Sequence, residues 1–118
     1  MMKISKVEFY LPQSVLTNED LEKLFPEWSS ERIHEKVGIS QRHISADNET
    51  VLDMAVKSSE KIFESYDRNK IDFILFCTQS PDYFLPTTAC LLQDRLKLRK
   101  NIGAIDFNLG CSGFVYVF

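Results

Sequence analysis

The chain of 118 residues carries 14 Lys and Arg against 17 Asp and Glu, a formal net charge of -3, and 44% hydrophobic residues. That length suits one soluble domain, which buries roughly two-thirds of its unfolded surface, and nine Phe, four Tyr and one Trp exclude a solvated, disordered linker. The mild acidity argues against nucleic-acid binding, which goes with a strong basic excess, and no apolar run approaches the roughly 20 residues that span a membrane.

The opening Met1-Met2-Lys3-Ile4-Ser5-Lys6 has neither the apolar stretch nor the small-residue cleavage site of a secretory signal. Cys77, Cys90 and Cys111 are too few and too widely spaced for a disulfide scaffold or a zinc site. Reduced thiols in the cytoplasm are therefore expected.

Residues 4–11 place Val7, Phe9 and Leu11 on one side and predict a strand. Thr17-Asn18-Glu19-Asp20 reads as a capping box, opening a short helix with Leu21, Leu24 and Phe25 inward that Pro26 ends. A second short helix over 30–37 starts at Ser29 or Ser30, uses Ile33 and Val37 as its apolar pair, and stops at Gly38. Thr50 opens the clearest helix, with Val51, Ala55, Ile62 and Tyr66 near one face, Leu52, Met54 and Phe63 widening the stripe, and a charged outer face. The run Ile71 to Thr78 is β-prone and apolar on both sides, as in a parallel strand covered by helices on both faces. Pro81 and Pro86 mark a loop, Thr87 or Thr88 starts a helix with Ala89, Leu92 and Leu96 inward, and Ile102 to Leu109 returns as a strand. Residues 71–109 thus form a strand, helix, strand unit. Gly110-Cys111-Ser112-Gly113 turns into an apolar helix beginning at Phe114.

Cys111 is the strongest chemical candidate. Flanking glycines let a backbone turn sharply and lift one side chain into a pocket, and a helix N-terminus nearby favours thiolate over thiol and can receive an oxyanion. The alternative is a small buried cysteine whose glycine neighbours permit close packing. Cys77, inside an apolar strand, and Cys90, in the apolar half of a helix, read as core. His34 and His43 read as structural or solvent-facing, and the run Arg95, Lys97, Arg99, Lys100 as a complement to the negative end of a helix.

The order of motifs along the chain resembles the N-terminal part of β-ketoacyl-acyl carrier protein synthase III, a thiolase-fold family of fatty acid synthesis. The likeness rests on Tyr10-Leu11-Pro12 with Thr17 to Leu21, on Lys36-Val37-Gly38-Ile39-Ser40-Gln41-Arg42-His43-Ile44, on Glu49-Thr50, and on Phe84-Leu85-Pro86-Thr87-Thr88-Ala89. Most specific is Asp106-Phe107-Asn108-Leu109-Gly110-Cys111-Ser112-Gly113-Phe114, which looks like the segment around the family's nucleophilic cysteine.

The resemblance implies an α/β, thiolase-like fold: the N-terminal part of a duplicated αβαβα architecture with a mixed, partly parallel sheet. It implies an acyltransferase in which Cys111 takes an acyl group, usually acetyl, from an acyl-coenzyme A. Condensation with malonyl-acyl carrier protein then releases carbon dioxide. No cofactor is implied, coenzyme A thioester being substrate; the partners implied are those two substrates and a second copy in a homodimer, with no nucleic acid and no membrane. Where many members have a Trp that stacks on the coenzyme A adenine, this chain has Arg32, with Trp28 one turn earlier, and Lys36 stands where Arg is usual. Leu85 matches a frequent Phe that limits the acyl pocket across the dimer. The family's catalytic His and Asn come from the second half of its fold, and neither His34 nor His43 matches them. Residues 1–118 are therefore expected to be an N-terminal portion, incompetent for condensation alone. Two other readings follow from the same residues: another thiolase-fold condensing enzyme of specialised lipid or polyketide synthesis, or a non-catalytic dimerisation module.

Overall fold

The computed structural model describes residues 3–117, which divide into two compact units, residues 11–49 and residues 3–10 with 50–117. Strand β1 (Ser14–Thr17) opens the first unit and is followed by helices α1 (Asn18–Leu24) and α2 (Ser30–Val37) and by strand β2 (Gln41–Ile44). The strands pair antiparallel, with Ser14 opposite Ile44 and Thr17 opposite Gln41.

Local chemistry sets the ends of both helices. Thr17 Oγ1 accepts from the Asp20 amide at 3.2 Å while the Asp20 carboxylate accepts from the Thr17 amide at 3.3 Å, which closes the expected capping box. Ser29 Oγ accepts from the Arg32 amide at 3.2 Å, and Gly38, at φ +72°, takes the left-handed stop. Asn18 is the unit's most buried polar residue. Its amide donates to Ser40 O at 3.1 Å, its Nδ2 to Ile39 O at 2.8 Å, and its Oδ1 accepts from Arg42 Nη2 at 2.7 Å. With every polar atom of that side chain satisfied, burial costs little and the start of α1 is fastened to the approach of β2.

The second unit contains α3 (Val51–Phe63), β3 (Phe73–Cys77), α4 (Thr88–Arg95), β4 (Gly103–Phe107) and α5 (Gly113–Val117), with a 3-10 turn at Arg68–Lys70. Strands β3 and β4 pair in parallel from Phe73 opposite Gly103 to Cys77 opposite Phe107, so α4 lies in the connection between two parallel strands, as expected. At the first of these pairs the Phe73 ring fills the space that a Cβ on residue 103 would need. Leu52 of α3, Phe76 of β3, and Ala89, Leu92, Leu96 and Leu98 on and after α4 form the buried core, flanked by Ile74 and Ala104.

Two expectations change. Helices α3 and α4 cover only the Ile74–Phe76 side of the strand pair, while Phe73, Leu75 and Ile105 on the other side are 53%, 45% and 49% exposed. A run that is apolar on both faces was read as covered twice, but among the described residues the second face meets only the start of α5, at its Cys77 end. The predicted strand at 4–11 is also absent, because a strand needs a ladder partner and none of the described strands lies alongside it. That segment is instead attached to α3 through lysines. Lys6 Nζ donates to Lys61 O at 3.0 Å and Ser65 Oγ at 2.7 Å, and Lys61 Nζ donates to Phe9 O at 2.9 Å. No helix among the described residues is long and apolar enough to cross a membrane.

Asp53 joins the two core helices. Its carboxylate accepts from the Thr50 amide at 3.0 Å in a second capping box and from Arg95 Nη1 of α4 at 2.6 Å. The Thr50 amide foremost, then Arg95, holds its pKa down to about 2, against 3.8 for an ordinary Asp. Because the folded value lies below the unfolded one, this contribution is present above about pH 4 and is lost as pH falls towards 2. Asp53→Asn is expected to cost about 1 kcal/mol at neutral pH, and to make the acid limb of stability shallower. Urea unfolding of both proteins across pH 2 to 7 measures it; parallel acid limbs would contradict the assignment.

Candidate functional site

In parallel α/β sheets, chemistry collects beyond the carboxyl ends of the strands, where loops leave a rigid frame. Strand β3 ends at Cys77 and β4 at Phe107, so the segments 78–87 and 108–112 leave the same end of the pair. Between them lies a cleft of about 250 Å³, lined by Pro81, Tyr83, Phe84, Thr87, Asp106, Phe107 and Asn108.

Cys111 stands in the turn from β4 into α5 and is exposed. The Gly113 amide donates to Gly110 O at 2.8 Å and closes the turn, and the Ser112 carbonyl accepts from the Val115 and Tyr116 amides at 3.0 and 3.2 Å as the helix begins. The strand-to-helix geometry expected around Cys111 is present, and its thiol is exposed. Of the two neighbouring glycines, Gly113 has the firmer steric reason. A Cβ on residue 110 would lie 3.3 Å from the Gln79 side chain, and one on residue 113 would collide with Cys77 Sγ.

Cys77 and Cys90, expected in the core, are both exposed. Cys77 shares the largely uncovered face of β3 with Phe73 and Leu75, and Cys90 falls beside, not on, the Ala89, Leu92, Leu96 stripe. Cys77 Sγ donates to Leu109 O at 3.3 Å, and Cys90 Sγ accepts from Thr87 Oγ1 at 3.3 Å.

Asp106 was missed by sequence reading. Its Oδ2 accepts from the Thr88 amide at 2.6 Å and its Oδ1 from the Ala89 amide at 2.7 Å, while the N-cap residue Thr87 makes no side-chain capping bond. A carboxylate on β4 thus caps α4 from across the strand-helix contact, with a negative charge at the positive end of the helix. One signal was available: a lone acid within the apolar run 102–109 needs a compensating donor.

Leu85 lies in the loop after β3, 81% exposed beside Phe84 at 97%, and precedes a cis peptide bond to Pro86. Arg32 and Lys36 occupy successive turns of α2 in the other unit, both exposed. The Arg32 guanidinium lies over the Trp28 ring, 4.6 Å from its centre. The structure thus groups Arg32 with Lys36, and Leu85 with Cys111 at one end of the parallel pair. His34 Nδ1 is 3.3 Å from Ser40 Oγ, and His43 Nδ1 donates to Pro12 O at 2.5 Å, so both histidines make local contacts within residues 11–49. No group of three or more His, Cys, Asp or Glu that could hold a metal occurs among the described residues.

No family model matches the chain. Individual proteins do. The β-ketoacyl-[acyl-carrier-protein] synthase III of Xanthomonas euvesicatoria is 44% identical over 116 residues, 97% of this chain and 35% of that protein. The synthase III of Sulfurovum sp. is 41% identical over 111 residues, 92% of this chain and 32% of its own length. Among solved structures, a 3-oxoacyl-(acyl-carrier-protein) synthase III superposes with a TM-score of 0.90 at 46% identity, covering 96% of this chain and 34% of that one. The chain thus spans about a third of the length of the curated relatives it matches. Over that span the likeness to synthase III holds in sequence and structure, and the thiolase-like α/β fold is the one expected.

Three substitutions test these contacts. Asp106→Ala removes both acceptors at the start of α4 and is expected to cost about 2 kcal/mol in urea unfolding; a loss below about 0.5 kcal/mol would contradict the cap. Gly113→Ala is expected to destabilise by about 1–3 kcal/mol through overpacking against Cys77. Adding Cys77→Ala should restore more than half of that loss, and strict additivity of the two changes would show that they do not touch.

Proposed function

We propose that this chain is part of a β-ketoacyl-acyl carrier protein synthase III, an acyltransferase acting at the start of fatty acid synthesis, and that Cys111 is its acyl-accepting nucleophile. The observation that carries the reading is the placement of Cys111, within the motif that resembles synthase III, as an exposed thiol on the strand-to-helix turn that follows β4. The thiolate attacks the carbonyl carbon of acetyl-coenzyme A; the bond from that carbon to the coenzyme A sulfur breaks, and coenzyme A leaves as the thiol after taking a proton. The acetyl group remains as a thioester on Sγ, dividing one difficult transfer into two easier ones. Backbone amides at a strand-to-helix turn are suited to the oxyanion that develops during the attack. Condensation of this thioester with malonyl-acyl carrier protein, releasing carbon dioxide, draws on a His and an Asn that this chain does not supply.

Arg32 and Lys36 are the coenzyme A contacts in this reading. Arg32, held over the Trp28 ring, offers a planar cation to adenine or phosphate, and Lys36 adds a charge one turn away. Leu85 reaches across a homodimer to bound the acyl pocket, which accounts for a loop that presents two large apolar side chains to solvent. We place the enzyme in the cytoplasm, where its thiols stay reduced.

Incubation of the folded protein with isotopically labelled acetyl-coenzyme A, followed by peptide mass analysis, is expected to find the label on the Cys111 peptide and none after Cys111→Ala. A folded protein that leaves Cys111 unlabelled would reject the catalytic assignment in favour of a non-catalytic module. Preference for a longer acyl donor over acetyl would instead favour a related condensing enzyme, with Leu85 as the altered pocket residue.

A further inference from the structure

We propose that Cys77 is a positioning residue for Cys111, an inference that rests on the acyl-transfer reading and sharpens it. Strand pairing puts Cys77 opposite Phe107, the last residue of β4 before the turn. From there its single sulfur reaches both arms of that turn. It donates to the carbonyl of Leu109, two residues before Cys111, at 3.3 Å, and it rests against the α-carbon side of Gly113, two residues after. The turn is closed on itself by the bond from the Gly113 amide to Gly110 O at 2.8 Å. The sulfur fastens that closed turn to the neighbouring strand.

Burial does not explain this cysteine. It lies on the largely uncovered face of β3 and is itself exposed, so no core packing holds it in place. What the position rewards is a small side chain with a donor and a polarisable atom at van der Waals distance from glycine, and cysteine provides both. Holding the Leu109 carbonyl fixes the plane of the peptide that joins Leu109 to Gly110, and with it the direction in which the chain enters the turn. Acyl transfer needs the sulfur and the thioester carbon aligned at close range, so a loosened turn lowers the rate of the chemical step more than it weakens binding. Cys77 touches neither substrate nor the reacting atoms in this account. Its effect passes through the backbone on either side of Cys111.

The test compares the parent with Cys77→Ala and Cys77→Ser, each confirmed folded by thermal unfolding. Two quantities are read: single-turnover acetylation of Cys111 by acetyl-coenzyme A, and amide hydrogen exchange across residues 108–113. The Ala variant is expected to lower the maximal acetylation rate by about three- to tenfold, the effect of one modest hydrogen bond, with the half-saturating acetyl-coenzyme A concentration unchanged. Exchange should rise in 108–113 and stay at parental levels in α3 and α4. The Ser variant, which keeps a donor, should recover most of both losses. Parental rate and exchange in the Ala variant overturn the proposal, as do equal losses in Ala and Ser. If the Ala variant melts below the assay temperature, the Ser variant decides: near-parental behaviour supports the role and a full loss overturns it. Failure of the parent to accept acetyl at all would defeat the acyl-transfer reading, and the exchange measurement would still judge Cys77.

Discussion

The two bonds from the Thr88 and Ala89 amides to the Asp106 carboxylate organise the larger unit. A helix that follows one strand and precedes the next must begin somewhere over the sheet, and apolar packing alone leaves that start free to slide by part of a turn. Asp106 removes the freedom. Its charge is confined to β4, its acceptors match the unpaired donors of the first turn of α4, and both partners lose less on leaving water because each has the other. The loop before α4 and the turn after β4 then leave from positions fixed relative to one another. Leu85 and Cys111 lie in those two segments, so the clamp sets the frame in which both are presented.

Local rules carried much of this fold. Thr17 with Asp20, Ser29 with Arg32, Gly38 with His34, and Thr50 with Asp53 are contacts within a few residues, and each formed as spacing required. The buried stripe of α4 likewise followed from its period. What spacing could not show was the identity of neighbours distant in sequence. The segment 4–11 alternates like a strand, but alternation describes a face and not a partner; lysine contacts to α3 took the place of a ladder. Cys77 and Cys90 read as core because one sits inside an apolar strand and the other in the apolar half of a helix, whereas the parity of β3 and the narrow stripe of α4 turned both outward. Asp106 capped a helix 18 residues away in sequence, a pairing that only the parallel register creates.

At the candidate site, sequence gave the position of Cys111 and structure gave the reason for its neighbours. The flanking glycines were read as permitting a sharp turn, and Gly113 also leaves room for Cys77 Sγ, which lies where a Cβ would stand. A nucleophile gains from exposure on a fixed backbone, because residual freedom at the attacking atom lowers the rate. The charged pair Arg32 and Lys36 follows a different principle: α2 is short and exposed, and its capping and αL stop hold two cations at helical spacing without burying either.

The Phe73 ring, lying where a Cβ of residue 103 would be, has a consequence for how the chain counts. Were β4 to shift by one step along β3, Ile102 or Ala104 would meet that ring, and every side chain of the strand would also change faces. With the ring placed as it is, glycine fits this rung best, which favours the observed register. Gly103 therefore serves as the origin of a ruler, and the eight residues from there to Cys111 place the thiol by number as much as by contact. An insertion or deletion within that interval would leave the ladder's start intact and carry the thiol away from the supports beneath it.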